Sequence, residues 1–244
     1  MVASQNKRAR EEIVVQPFDA IDLEQLTLKD RGEDAKGGDR TFPLLAGKPI
    51  RFNLTPSGWL TALYGFDLSS KFNQPSFLID YEQPANDASE EKKKPKTEGL
   101  NMRIHLQQKQ TDFLRMFDEK CKIAFCGIEK TCSKWGDLVT SGNMMCPNSV
   151  KVFVPLKAND KTAALTEIAV VDGNTITRGE GWNFIEPYVN DFRNADVKVT
   201  VRVKRIWFLD GKAGITLEAT QLALRIRERR PKEAVAFTDD DLLA

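Results

Sequence analysis

The sequence predicts a β-rich α+β protein: an antiparallel barrel with one main helix, a long C-terminal β-hairpin and an acidic tail. Three observations carry this. Apolar and polar residues alternate over 197–209 (VKVTVRVKRIWFL), the period of a strand with one buried face. A turn-forming run, Asp210-Gly211-Lys212-Ala213-Gly214, then leads into a second strand-like run over 215–227. Only 102–122 has sustained helical spacing, with Leu106, Phe113, Leu114, Phe117 and Cys121 on one face.

The elements follow in order. Residues 1–40 are polar and charged apart from a weakly apolar patch at 13–28, and Gly32, Gly37 and Gly38 punctuate the end. They are expected to form a flexible N-terminal arm. A single domain is expected over 41–231. Its first strand is 49–54 (PIRFNL), followed by a Pro56-Ser57-Gly58 turn and an apolar run at 59–66. Another strand is expected at 72–81, where Pro75 confines it to an edge or an entry position. Residues 83–99 carry Pro84, Pro95, Glu90-Glu91 and Lys92-Lys93-Lys94 with almost nothing apolar, the composition of a disordered, solvated loop. The run Lys92 to Lys96 also has the character of a nuclear-import patch, although a charged loop accounts for it. After the helix, Val150, Val152 and Val154 alternate with Lys151 and Phe153 in a strand. A further strand spans 166–171, an Asp172-Gly173-Asn174 turn follows, and 175–182 completes that hairpin. Residues 232–244 form the acidic tail.

Composition narrows the function. The chain has 244 residues, is 41% apolar and carries a net charge of +1, so it can bury a core and shows no global charge bias. No apolar run reaches the length of a transmembrane helix, and the first residues lack the apolar core of a secretory signal. Four cysteines, Cys121, Cys126, Cys132 and Cys146, make no disulfide framework, so an intracellular location with reduced thiols is expected. Their spacing is irregular, contains no CxxC and forms no zinc pattern with His105; Cys121 and Cys126 read as core residues. One histidine removes most Ser-His, Cys-His and His-metal schemes, and no phosphate-binding or nucleophile-elbow motif is present. The expectation is a non-enzyme with no cofactor and no metal, with His105 a helix or strand-end polar residue.

The hairpin offers a binding face instead. Alternation sends Val197, Val199, Val201 and Val203 to one side and Lys198, Thr200, Arg202 and Lys204 to the other. Arg205-Ile206-Trp207 breaks the alternation, which predicts a bulge. Residues 197–230 hold nine Lys and Arg against three acids, enough local charge to track a phosphate backbone. A solvated antiparallel face has the same pattern. Aromatic residues near cations strengthen the nucleic-acid reading, because single-strand binders stack bases on rings. Trp59 sits near Arg51 and Lys71, Trp182 near Arg178, and Trp207 beside Lys204 and Arg205. Most rings belong in the core; the tryptophans next to glycine or a cation, Trp59, Trp135, Trp182 and Trp207, are the best platforms. The basic cluster Arg225, Arg227, Arg229, Arg230 is followed by Glu233 and Asp239-Asp240-Asp241, with no base after Lys232. Such a tail can occupy a basic groove until DNA displaces it, then offer Phe237, Leu242 and Leu243 to a partner. It can equally be a solubilising terminus.

The order basic strand, IWFLDGKAGITLEATQLAL, basic end, acidic tail resembles single-stranded DNA-binding proteins of large DNA viruses and T7-like phages. The resemblance covers 197–244 most closely and 48–192 more thinly. It implies an OB-fold and sequence-independent single-stranded DNA binding in replication, recombination or repair, in a host cytoplasm or nucleus. It assigns backbone phosphates to Lys198, Arg202, Lys204 and Arg205, and base stacking to Trp207. Arg51, Trp59, Lys71 and Trp182 are added from the residue reading. The implied tail, Phe237, Asp239, Asp240, Asp241, Leu242 and Leu243, recruits a polymerase, helicase or recombinase, and a homodimer is a further expected partner. Family tails end on or near an aromatic, whereas this one ends Leu242-Leu243-Ala244. The alternative is a β-rich scaffolding protein of a virion or assembly; a metal-dependent nuclease or nucleotide enzyme ranks below it.

Overall fold

The computed structural model describes residues 15–33, 39–68, 97–128, 132–143, 146–158 and 164–227. In chain order these form strands β1 (Gln16–Pro17), β2 (Leu26–Glu33), β3 (Asp39–Leu45), β4 (Lys48–Pro49), β5 (Arg51–Asn53), β6 (Leu60–Phe66) and β7 (Thr97–His105). Helix α1 (Gln108–Ile128) follows, then β8 (Lys134–Gly136), β9 (Val139–Thr140), β10 (Ser149–Ala158), β11 (Glu167–Asp172) and β12 (Thr175–Glu180). A short helix α2 (Trp182–Ile185) precedes β13 (Asp196–Leu209) and β14 (Lys212–Arg225). The described strands belong to one mixed sheet, so the protein is β-rich α+β.

The alternating run is the spine of that sheet. β13 and β14 pair antiparallel along their whole length, from Asp196↔Arg225 to Leu209↔Lys212. The turn is tighter than the sequence predicts, only Asp210-Gly211. Both residues adopt positive φ (50° and 73°), the geometry that lets two residues close a hairpin, so Lys212 to Gly214 remain in the strand. The expected bulge lies between Val203 and Arg205, with Lys204 the extra residue; a second register shift falls between Thr200 and Val201. On its other side β13 meets β6, β5 and β3 in turn. The far side of β14 takes β8, β10 and β11, all parallel. The pairings β13–β6–β7–β10–β14–β13 return to their start, though the strands are not spread evenly round an axis.

Inside lie Val197, Val199, Val201, Val203 and Ile206 of β13, Leu217, Leu222 and Leu224 of β14, and Val150, Val152 and Val154 of β10. The helix covers this core six residues later than the sequence reading puts it. Residues 102–105 belong to β7, where Leu100, Met102 and Ile104 are buried and alternate with Asn101, Arg103 and His105. That period of two, rather than a helical stripe, governs the segment. It also takes 97–99 out of the expected loop. On α1, Phe113, Leu114, Phe117, Cys121 and Phe125 are buried. Phe52 packs against Phe113 (5.4 Å) and Phe125 against Phe208 (5.9 Å), so the helix ties β5 to the far end of β13. Burial pushes the Cys121 thiol pKa up, as suits a core cysteine. Asp118 fastens the helix to the following segment, accepting from Trp135 Nε1 (2.9 Å) and the Leu138 N–H (3.0 Å).

Of the segment expected to be a flexible arm, residues 15–33 and 39–40 are described, and these are built into the sheet. In its described part, β1 pairs with β5, β2 with β3, and Phe18 is buried 5.5 Å from Phe113. The hairpin of β11 and β12 forms around Gly173-Asn174, and Gly181, at φ 79°, ends it one residue before Trp182. The expected strand at 72–81 and most of the expected loop, up to 96, lie outside the described residues.

Candidate nucleic-acid interface

The outward side chains of β13 align with those of its neighbours in three cross-strand rows. Lys198, Ala223, Ala169 and Arg178 lie side by side across β13, β14, β11 and β12. Asn53, Thr200, Gln221, Glu167 and Glu180 form the next row, starting from β5. Arg51, Arg202, Glu218, Phe153 and Asn101 form the third, across β5, β13, β14, β10 and β7.

At one end the ring of Trp59 contacts two cations. Lys198 Nζ lies 5.0 Å and the Arg225 guanidinium 4.5 Å from its centroid. Arg225 donates to Asp196 Oδ2 from Nε (3.0 Å) and Nη2 (2.5 Å), and Arg227 donates to Oδ1 from Nε (2.9 Å) and Nη2 (2.5 Å). Burial works against the Asp196 carboxylate, but the hydrogen bonds and charges of Arg227 and Arg225 outweigh it and hold its pKa below the usual carboxylate range. A depressed carboxylate pKa adds stability that is complete above the unfolded pKa and is lost as pH falls through the folded one. Asp196→Asn is therefore expected to flatten the decline of stability between about pH 5 and pH 2, the range over which a carboxylate with depressed pKa protonates. Urea denaturation across that range checks this; parallel pH profiles for the two proteins would refute it.

Further along, three cations gather on one carboxylate. Glu218 is only 1% exposed. Arg202 donates to its Oε1, and Lys204 Nζ lies 2.5 Å from Oε2 and 4.8 Å from the Phe153 ring. Arg51 stands directly opposite Arg202, and burial, then the Arg202 charge, lowers its pKa while Glu218 pulls the other way. Three positive charges and one negative leave a net excess of two. Arg202 and Lys204 thus lie on the predicted face but are not free solvated cations: each is committed to a buried acid. Lys198 and Arg178, by contrast, make no ion pair with any described residue.

The other expected residues divide. Arg205 and Trp207 are half-buried on β13, and the Trp207 ring covers Gly214 so closely that a Cβ there would come within 2.8 Å. Trp182 is corrected outright, being buried in the core with no face for a base. Trp135 is half-buried, tied to Asp118 and packed 6.0 Å from Phe125. His105 closes β7, and burial lowers its pKa. Lys71 and the tail residues Phe237, Asp239, Asp240, Asp241, Leu242 and Leu243 lie outside the described residues. The structure adds Glu218, Asp196, Arg178 and Phe153. For Phe153 the signal was present, since it faces away from the valines that flank it. Among the described residues no group of three His, Cys, Asp or Glu converges on a metal-sized space, and no helix is long and apolar enough to cross a membrane. Comparison with known families and with curated proteins yields no match.

Proposed function

We propose that the chain is a non-catalytic protein that binds single-stranded DNA without strict sequence preference, in replication, recombination or repair. One observation carries the reading: an aromatic ring, Trp59, in contact with Lys198 and Arg225 beside a sheet face that also bears Arg178, which makes no ion pair with a described residue. A ring beside cations is what stacking a base and neutralising its phosphate require. The five-strand circuit supports reading the fold as an OB-fold, a partly open five-stranded Greek-key barrel used for oligonucleotides. In this reading the acidic tail competes with DNA for the basic face, and DNA frees it to recruit a polymerase, helicase or recombinase.

The test is a salt titration of oligo-dT binding by the full chain and by a version ending at Pro231. If the strand neutralises about four cations, log affinity falls with log salt at a slope of about −3. The shortened chain, which loses Glu233, Asp239, Asp240 and Asp241, is expected to bind more tightly at every salt concentration. Unchanged tryptophan fluorescence and mobility with excess strand at low salt would refute the proposal. A large homo-oligomer indifferent to nucleic acid would support the scaffolding alternative.

A further inference from the structure

Over the outer face of β12, β11, β14 and β13 lies an open cleft of about 540 Å³, within the range of small-ligand sites. Its lining separates charge along the first two cross-strand rows. One row ends in the cations Lys198 and Arg178, with the small side chains of Ala223 and Ala169 between them. The adjacent row ends in two carboxylates, Glu167 and Glu180, directly opposite each other on β11 and β12. Like charges placed so disfavour the sheet. Neither makes an ion pair with a described residue; Glu167 only accepts from Gln221 Nε2 at 3.1 Å. Among the described residues the cleft therefore presents two carboxylates with no cationic partner on one side and two cations with no carboxylate partner on the other, with Ala169 and Ala223 in its lining.

We propose that this cleft holds one nucleotide of the bound strand and reads its base through an exocyclic amine. The inference rests on the single-strand reading above and adds a base bias to it. The phosphates on either side of the nucleotide lie toward Lys198 and Arg178, the ring over Ala169 and Ala223 between them, and the amine donates to Glu167 and Glu180. Carboxylates accept from cytosine N4 but repel thymine O4, which is itself an acceptor. Adjacency to Lys198, which also faces Trp59, makes the cleft continuous with the stacking site.

Oligo-dC and oligo-dT, two pyrimidine strands that differ in this group, provide the test by anisotropy titration of the full chain at fixed salt. The wild-type protein is expected to bind oligo-dC about tenfold more tightly, the scale of one good base-edge contact. Glu167→Ala/Glu180→Ala is expected to bring that ratio to about one, even as the loss of two negative charges tightens binding to both strands. Arg178→Ala is expected to weaken both equally and keep the ratio. If the double variant does not fold by circular dichroism, Glu180→Ala alone, on the edge strand, is expected to reduce the ratio. Equal wild-type affinity for the two strands overturns this inference and leaves the single-strand reading standing, as does a ratio that survives loss of the carboxylates. Binding to neither strand overturns both.

Discussion

Glu218→Ala is expected to destabilise the protein by about 1–3 kcal/mol, the cost of losing charge-assisted hydrogen bonds, since the cations left behind keep part of their hydration. The carboxylate is almost wholly buried, while Arg202 and Lys204 are about a third exposed, with side-chain values of 34% and 35%. Removing the acid leaves the adjacent Arg202 and Arg51 without the negative charge that offsets their repulsion. A double replacement, Arg202→Met/Glu218→Met, is expected to lose far less, because an apolar pair removes the buried charge together with its partner. Lys204, freed by the same change, can turn to water. Urea denaturation of the wild type and both variants measures this. Equal losses in the single and double variants would show that side-chain volume, not charge pairing, holds these strands together.

The second large effect concerns binding. Trp59→Ala is expected to weaken oligo-dT binding by roughly 10- to 100-fold, the range for losing one base-stacking ring. Trp59→Phe is expected to retain most of the affinity, since a smaller ring still offers a face to a base and to Lys198 and Arg225. Stability should change little, because the Trp59 ring is only half-buried and caps charged side chains rather than filling the core. Anisotropy at low salt, with circular dichroism to confirm folding, is the measurement; an unchanged affinity in Trp59→Ala would remove this ring from the interface.

What the sequence reveals here depends on how local the determining signal is. The β13 alternation is visible because Val197, Val199, Val201 and Val203 carry it at strict two-residue spacing, whereas the turn, expected over 210–214, closes on Asp210-Gly211 alone because Lys212 to Gly214 pair in the strand. β7 was obscured because Met102, Leu106 and the aromatic residues that follow share a helical repeat, while the competing two-residue period is only three apolar residues long. The N-terminal strands lack a strong pattern of their own and take their structure from partners elsewhere in the chain, notably Phe113 for Phe18. The interface divides in the same way. The cationic side of β13 follows from alternation alone. That Arg202 and Lys204 converge on Glu218 requires the hairpin register, which sets Arg202 opposite Glu218, and a one-residue slip would reverse it. Arg178 reaches the same face only because β11 and β12 fold back beside β14, a placement no local pattern specifies.

The central hairpin also governs the order in which the molecule can be built. β3, β5 and β6 arise from residues 39–66, yet each pairs with β13, which begins at Asp196. A nascent chain therefore carries these strands with an open edge through the synthesis of some 130 further residues, about ten seconds at ordinary translation rates. Sheet closure comes only when the last strands leave the ribosome, and the entropy of joining such distant segments slows it. Until then the exposed edges can pair with other chains. Interrupted synthesis before Asp196 thus yields a fragment inclined to aggregate, and expression of the intact protein should depend on chaperone capacity more than its native stability would suggest.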